Sequence, residues 1–196
     1  MKRVYPQPLK PGDEIRMVAP SSTFGIIGAA CREAANRRLE KELGLKLSFG
    51  RHIDEKDAFG SSSVASRVED LHEAFRNPAV KGVLTVIGGY NCNQLLGSLD
   101  WDLIAKNPKV FCGYSDITAL NHAILAKTGL VTYSGPHYST FGQLRHFEYT
   151  MASFQACVLS KAPYAIRPSS YWSDDRWFLD QEKRNPEPNP GWTVFS

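Results

Sequence analysis

Two short apolar runs, Val83-Leu84-Thr85-Val86-Ile87 and Val110-Phe111-Cys112, constrain this chain more than any other feature. Neither alternates polar with apolar residues, so each suits a strand covered on both sides, the condition of a central strand in a parallel sheet. Each is also followed at once by glycine, Gly88-Gly89 after the first and Gly113 after the second. Parallel neighbours need long crossovers, and the segments between the strands read as helices.

Glu14 to Ala19 is a further strand, ended by Pro20-Ser21-Ser22. Ile26 to Leu43 has helical character with Gly44 at its stop, and Leu45 to Phe49 alternates like a strand. Val64, Val68, Leu71 and Phe75 recur at helical spacing. Asp116 to Lys127 reads as a helix through Ile117, Leu120, Ile124 and Leu125, Leu130 to Tyr133 as a strand, and Phe147 to Leu159 as a helix. The expected fold is α/β, an open and mainly parallel sheet with helices on both faces. Residues 1–160 would form this domain. Beyond Lys161, prolines, aromatics and acids suggest an interdomain linker over 161–196, with Trp192-Thr193-Val194-Phe195 opening the first strand of a second domain that the chain lacks.

Composition removes several classes of function. With 42% hydrophobic and 22% charged residues the chain is of globular type, and its net charge of +3 comes from scattered basic residues, so nucleic acid is not an expected partner. The amino-terminal MKRVYPQPLKPGDE lacks the apolar core of a secretory signal, and the apolar runs are far shorter than the roughly 20 residues that span a bilayer. A cytoplasmic protein without membrane contact is expected. Cys31, Cys92, Cys112 and Cys157 have no metal-ligand spacing, so free thiols and no metal are expected. Neither G-x-G-x-x-G nor G-x-x-x-x-G-K-[ST] occurs, and no organic cofactor is expected.

In open parallel sheets, ligands sit beyond the carboxyl ends of the strands. The loops Pro20-Ser21-Ser22, Gly88-Gly89-Tyr90-Asn91 and Gly113-Tyr114-Ser115-Asp116 meet there. A serine on a tight strand-to-helix turn is lifted above the sheet beside helix N–H groups, which suits nucleophilic attack and oxyanion stabilisation. Only half of G-x-S-x-G is present, because Ile117 replaces the second glycine, and from these four residues alone Ser115-Asp116 reads first as a helix cap. Gly88-Gly89 could cradle a phosphate, make a turn, or offer the Gly89 N–H as an oxyanion donor facing Ser115.

Taken in order, several runs resemble the LD-carboxypeptidase and microcin-immunity family: Leu9-Lys10-Pro11-Gly12-Asp13, Val18-Ala19-Pro20-Ser21-Ser22, Gly88-Gly89-Tyr90-Asn91, Asn93-Gln94-Leu95-Leu96, and Gly113 to Leu120. Tyr133-Ser134-Gly135-Pro136-His137 and the stretch from Trp172 to Gln181 are similar to the immunity branch. The resemblance runs over essentially the whole chain. It implies a serine peptidase with Ser115 as nucleophile, and backbone oxyanion donors at Gly89 and Asp116. It implies substrate contacts around Gly88, Tyr90, Asn91 and Ser21, and an aromatic side chain, Trp172 or Trp177, stacked on a nucleobase. The family's glutamate and histidine come from a carboxy-terminal domain, and the intact enzyme would be a homodimer acting on a small peptide or aminoacyl-nucleotide.

A local base could otherwise come only from His52, His72, His122, His137 or His146. His137, after a strand end on the ligand side of the sheet, is the one serious candidate, though a structural role is the first reading of it and the family uses this segment to shape the site; Glu148 and Asp116 have weaker claims. Two readings follow. One is a serine peptidase missing its second half and inactive alone. The other is a non-catalytic remnant that binds a ligand or partner through the same loops, self-associating through apolar surface that the second domain would cover.

Overall fold

The computed structural model describes residues 2–193. Four parallel strands, β1 (Glu14–Val18), β2 (Lys46–Phe49), β3 (Val80–Thr85) and β4 (Val110–Cys112), lie in the order β2-β1-β3-β4. Met17 pairs with Phe49 on one side and Leu84 on the other, and Leu84 pairs with Cys112. The order reverses between β1 and β3, the switch point at whose carboxyl ends open α/β sheets place their ligands.

Period-two alternation divides the core between the two faces of the sheet. Ile15, Met17, Leu84 and Cys112 face α1 (Ala29–Arg37) and α5 (Glu148–Val158), packing with Leu39, Phe141 and Phe154. Val18, Val83 and Phe111 face α2 (Val64–Arg76), α3 (Trp101–Lys106) and α4 (Thr118–Thr128), packing with Leu71, Phe75, Ile104, Ile117, Leu120 and Ile124. The expected open sheet with helices on both faces is the fold observed.

Local chemistry sets the boundaries. Ser63 caps α2 by accepting the Ser66 N–H at 3.0 Å, and α4 ends at Gly129 in the left-handed region, φ 77°. The predicted helix over 26–43 is more varied: a 3-10 turn at Phe24–Ile26, α1, and a π-helical continuation over Arg38–Glu42. Leu130 to Tyr133, expected to be a strand, is reduced to isolated bridges. The Val131 N–H bonds Val4 and the Tyr133 N–H bonds Phe111, each at 2.9 Å, so the segment divides its hydrogen bonds between the amino-terminal arm and β4 and builds no continuous ladder.

After α5 the chain is largely exposed and irregular, apart from an antiparallel pairing of β5 (Tyr171–Trp172) with β6 (Glu187–Pro188) that the sequence did not suggest. It is fastened back by Gln181, whose Nε2 donates to the Gly142 carbonyl at 2.8 Å and whose Oε1 accepts the Leu144 N–H at 2.9 Å. Of the strand expected at Trp192 to Phe195, residues 194–195 lie outside the described residues. No helix among the described residues is long and apolar enough to cross a membrane.

Candidate active site

β4 ends at Cys112, and the chain turns through Gly113 and Tyr114 into a single 3-10 turn, Ser115–Ile117, that leads into α4. Ser115 has φ 59°, in the left-handed region that costs a non-glycine residue about 1–2 kcal/mol. Such strain persists only where the surroundings impose it. A Cβ on Gly113 would stand 2.2 Å from Thr85 Oγ1, so glycine lets the turn lie directly on β3. Asn121 of α4 donates to the Gly113 carbonyl at 2.9 Å and anchors the turn from the helix side.

The loop after β3 faces this turn. A Cβ on Gly88 would lie 2.9 Å from Ser115 Oγ, 3.0 Å from Ser115 Cβ and 3.6 Å from the Asp116 nitrogen, which puts Gly88 against the serine and the first amide of the helical turn. A Cβ on Gly89 would lie 2.3 Å from Ser21 Oγ and 2.6 Å from Ser22 Oγ. The three loops are thus packed against one another, and glycine at both positions is what permits the approach.

Ser21 departs from its expected role. It is fully buried, and its hydroxyl donates to Asp116 Oδ2 at 2.5 Å instead of facing a ligand. The Cys92 N–H donates to the same oxygen at 2.9 Å. Burial pushes the Asp116 carboxyl up, but the hydrogen bonds from Ser21, Cys92 and Asn91 outweigh it and hold the group below the usual carboxylate range. Tyr90, by contrast, is 97% exposed. The Asn91 side chain turns inward, its Nδ2 donating to Ser61 Oγ at 2.9 Å.

Arg67 was not anticipated at all. It is buried in α2 and donates to the carbonyls of Pro20 (3.1 Å) and Asn91 (3.2 Å), to Asn91 Oδ1 (3.1 Å) and to Gln94 Oε1 (2.7 Å). The available signal was its place on the apolar stripe Val64, Val68, Leu71, Phe75, where a cation must find buried acceptors.

His137 is 2% exposed; its Nδ1 lies 2.8 Å from Thr85 Oγ1 and its ring stacks on Tyr114 with centroids 4.3 Å apart. Burial lowers its pKa to about 4, so the imidazole is neutral. It packs against Tyr114 of the Ser115 turn and Thr85 of β3. No hydrogen bond joins Ser115 Oγ to a histidine or carboxylate among the described residues. His72 accepts the Asp100 N–H at 2.8 Å and is likewise committed elsewhere. The four cysteines are free, and no group of three His, Cys, Asp or Glu side chains among the described residues converges as a metal site.

Trp172 and Trp177 are separated by their surroundings. Trp172, 45% exposed, lines a cleft of about 240 Å³ with His146, Tyr149 and Arg184, whereas Trp177 packs edge-on against Phe178 with centroids 6.2 Å apart.

Against known proteins, the family model described as the LD-carboxypeptidase N-terminal domain matches residues 15–135. A putative carboxypeptidase of Bacillus subtilis, YocD, is 52% identical over 192 residues, 98% of this chain and 59% of that protein. The crystal structure of an MccF-like protein from Bacillus anthracis str. Ames superposes with a TM-score of 0.94 at 55% identity, covering 96% of this chain and 57% of that one. The microcin C7 self-immunity protein MccF in complex with aspartyl sulfamoyl adenosine superposes at 0.85 with 30% identity, covering 95% and 58%. The chain therefore spans a little under three-fifths of the length of these relatives.

Proposed function

This chain belongs to the LD-carboxypeptidase family, and from that premise we propose that residues 1–160 are the nucleophile-bearing domain of a serine peptidase, with 161–196 leading towards a second domain. The observation that carries the proposal is Ser115 itself, held in the left-handed region at the carboxyl edge of the sheet with Gly88 packed against its hydroxyl. A helix-capping serine needs neither feature.

In the proposed reaction Ser115 Oγ attacks an amide carbonyl carbon as its proton passes to a base. The charge developing on the carbonyl oxygen is met by the backbone N–H groups of Gly89 and Asp116. The C–N bond then breaks with protonation of the leaving nitrogen, and water hydrolyses the acyl-enzyme. Ser115 has no base among the described residues, so this reading assigns the base to the glutamate and histidine of a carboxy-terminal domain, and His137 remains a support. Without that base the chain would be inactive, since losing a triad member costs several orders of magnitude in rate.

For substrate, the likeness to MccF bound to an aminoacyl sulfamoyl nucleotide favours peptidyl or aminoacyl adenylates over a peptidoglycan L,D-peptide bond, with Trp172 in its cleft as the base-stacking side chain. Free cysteines fit a reducing, cytoplasmic setting. The test is labelling by a serine-directed fluorophosphonate of this chain, its Ser115→Ala variant, and a form extended through a carboxy-terminal domain like that of its longer relatives. Labelling confined to the extended form and lost with Ser115→Ala is expected. Labelling that survives Ser115→Ala would refute the nucleophile, and labelling of the short chain would return the base to His137.

A further inference from the structure

The Asp116 backbone has a role in the proposed oxyanion site, yet its side chain makes the longest-range polar contact around the serine. The carboxylate bridges 95 positions of sequence to accept the Ser21 hydroxyl, and the same oxygen, Oδ2, accepts the Cys92 N–H. The Cys92 thiol closes the contact by donating to the Asp116 carbonyl at 2.8 Å. One residue therefore joins the loop after β1, the end of the glycine loop and the nucleophile turn.

Building on Ser115 as nucleophile, we infer that the Asp116 side chain is a positioning residue that sets the gap between the glycine loop and the serine, the space a tetrahedral oxyanion must fill. Ser21 transmits the effect, because its Oγ lies within 2.3 Å of where a Gly89 Cβ would be, so a shift of Ser21 moves Gly89 directly. The Ser22 N–H, bonded to the Gly88 carbonyl at 3.2 Å, adds a second link between the same loops. Arg67 holds the outer ends of both loops through the Pro20 and Asn91 carbonyls, leaving Asp116 as the inner fastening beside the reacting atoms. Ser21 and Cys92, the two donors to this oxygen, both stand on site loops, and Cys92 is at the same time part of the buried core. Removing the carboxylate would therefore loosen the gap and also cost some stability, two effects that labelling and unfolding measure separately.

The hydrogen bonds from Ser21 and Cys92 end on one oxygen, which supplies a discriminating variant. Asp116→Asn can place its amide oxygen there and keep both donors, whereas Asp116→Ala keeps neither. In the extended form, fluorophosphonate labelling is resolved into its maximal rate and its half-saturating concentration, with urea unfolding measured in parallel. Asp116→Ala should lower the maximal rate by about 100-fold, in the range seen on losing an oxyanion donor, with half-saturation within about threefold of wild type. Asp116→Asn should recover most of that loss, and Ser21→Ala, which spares the carboxylate, should lower the maximal rate in the same sense if Asp116→Ala does not fold. A maximal rate within threefold of wild type in Asp116→Ala, a change confined to half-saturation, or an Asn variant as slow as the Ala variant would each overturn the inference. Ser115→Ala in the same series keeps the two readings apart: if it still labels, the nucleophile and the inference fall together; if it does not, only the Asp116 result decides.

Discussion

Gly88→Ala is the sharpest probe of the site. Its new methyl would stand 2.9 Å from Ser115 Oγ and 3.0 Å from Ser115 Cβ, against the roughly 3.5–4.0 Å of an ordinary carbon contact, an overlap of at least half an ångström. Gly88 has no positive φ, so the backbone accepts alanine and the strain falls on the serine. Turning the Ser115 hydroxyl off its rotamer costs about 0.5–1.5 kcal/mol, and local overpacking brings the total to about 1–3 kcal/mol. The displaced atom is the proposed nucleophile, however, and a misplacement of about 1 Å at the reacting centre costs on the order of 100-fold in rate. Fluorophosphonate labelling of the extended form should therefore fall about 100-fold, while urea denaturation shows a loss no larger than an ordinary overpacked site. A variant that labels at the wild-type rate would refute the placement of Gly88 against Ser115. One that fails to fold would show that the overlap falls on the framework and not on the hydroxyl.

Two further outcomes follow from the same turn. Ser115→Gly should be more stable than Ser115→Ala by about 1 kcal/mol, because glycine adopts φ 59° without the Cβ penalty while both variants lack the hydroxyl; equal unfolding midpoints would remove the strain argument. His137 has a pKa of about 4 when folded against 6.5 when exposed, so the unfolded chain takes up the proton first as pH falls. Stability from this group is complete above about pH 6.5 and is lost progressively down to about pH 4, by about 3 kcal/mol in all. The wild type should show this loss relative to His137→Gln across that window, and parallel pH profiles would sink it.

Strands β3 and β4 were legible because burial on both faces leaves its mark on nearly every residue of a short run, as in Val83 to Ile87. Helix α2 was legible from Val64, Val68, Leu71 and Phe75. Helix α3 was not, since Trp101–Lys106 is too short for periodicity to register. Leu130 to Tyr133 has the composition of a strand, but where its hydrogen bonds go depends on Val4, at the other end of the chain. The site loops could be placed from strand ends and glycines. The side chains that fasten them, Arg67 and Asp116, act through partners from distant segments, and no local pattern carries that pairing. The burial of Ser21 against Asp116 could not be read from its loop for the same reason.

The bond between Ser21 and Asp116 also bears on the order in which the molecule folds. Pairing β1 with β3 requires a long crossover to close, and such non-local contacts form slowly because chain entropy is lost before the contacts repay it. The left-handed turn at Ser115 can gain its fastening only once β1, β3 and β4 already lie side by side. Reactivity at the serine should therefore emerge later in refolding than helix content, and an arrested intermediate would have its secondary structure but no Ser115 turn in place.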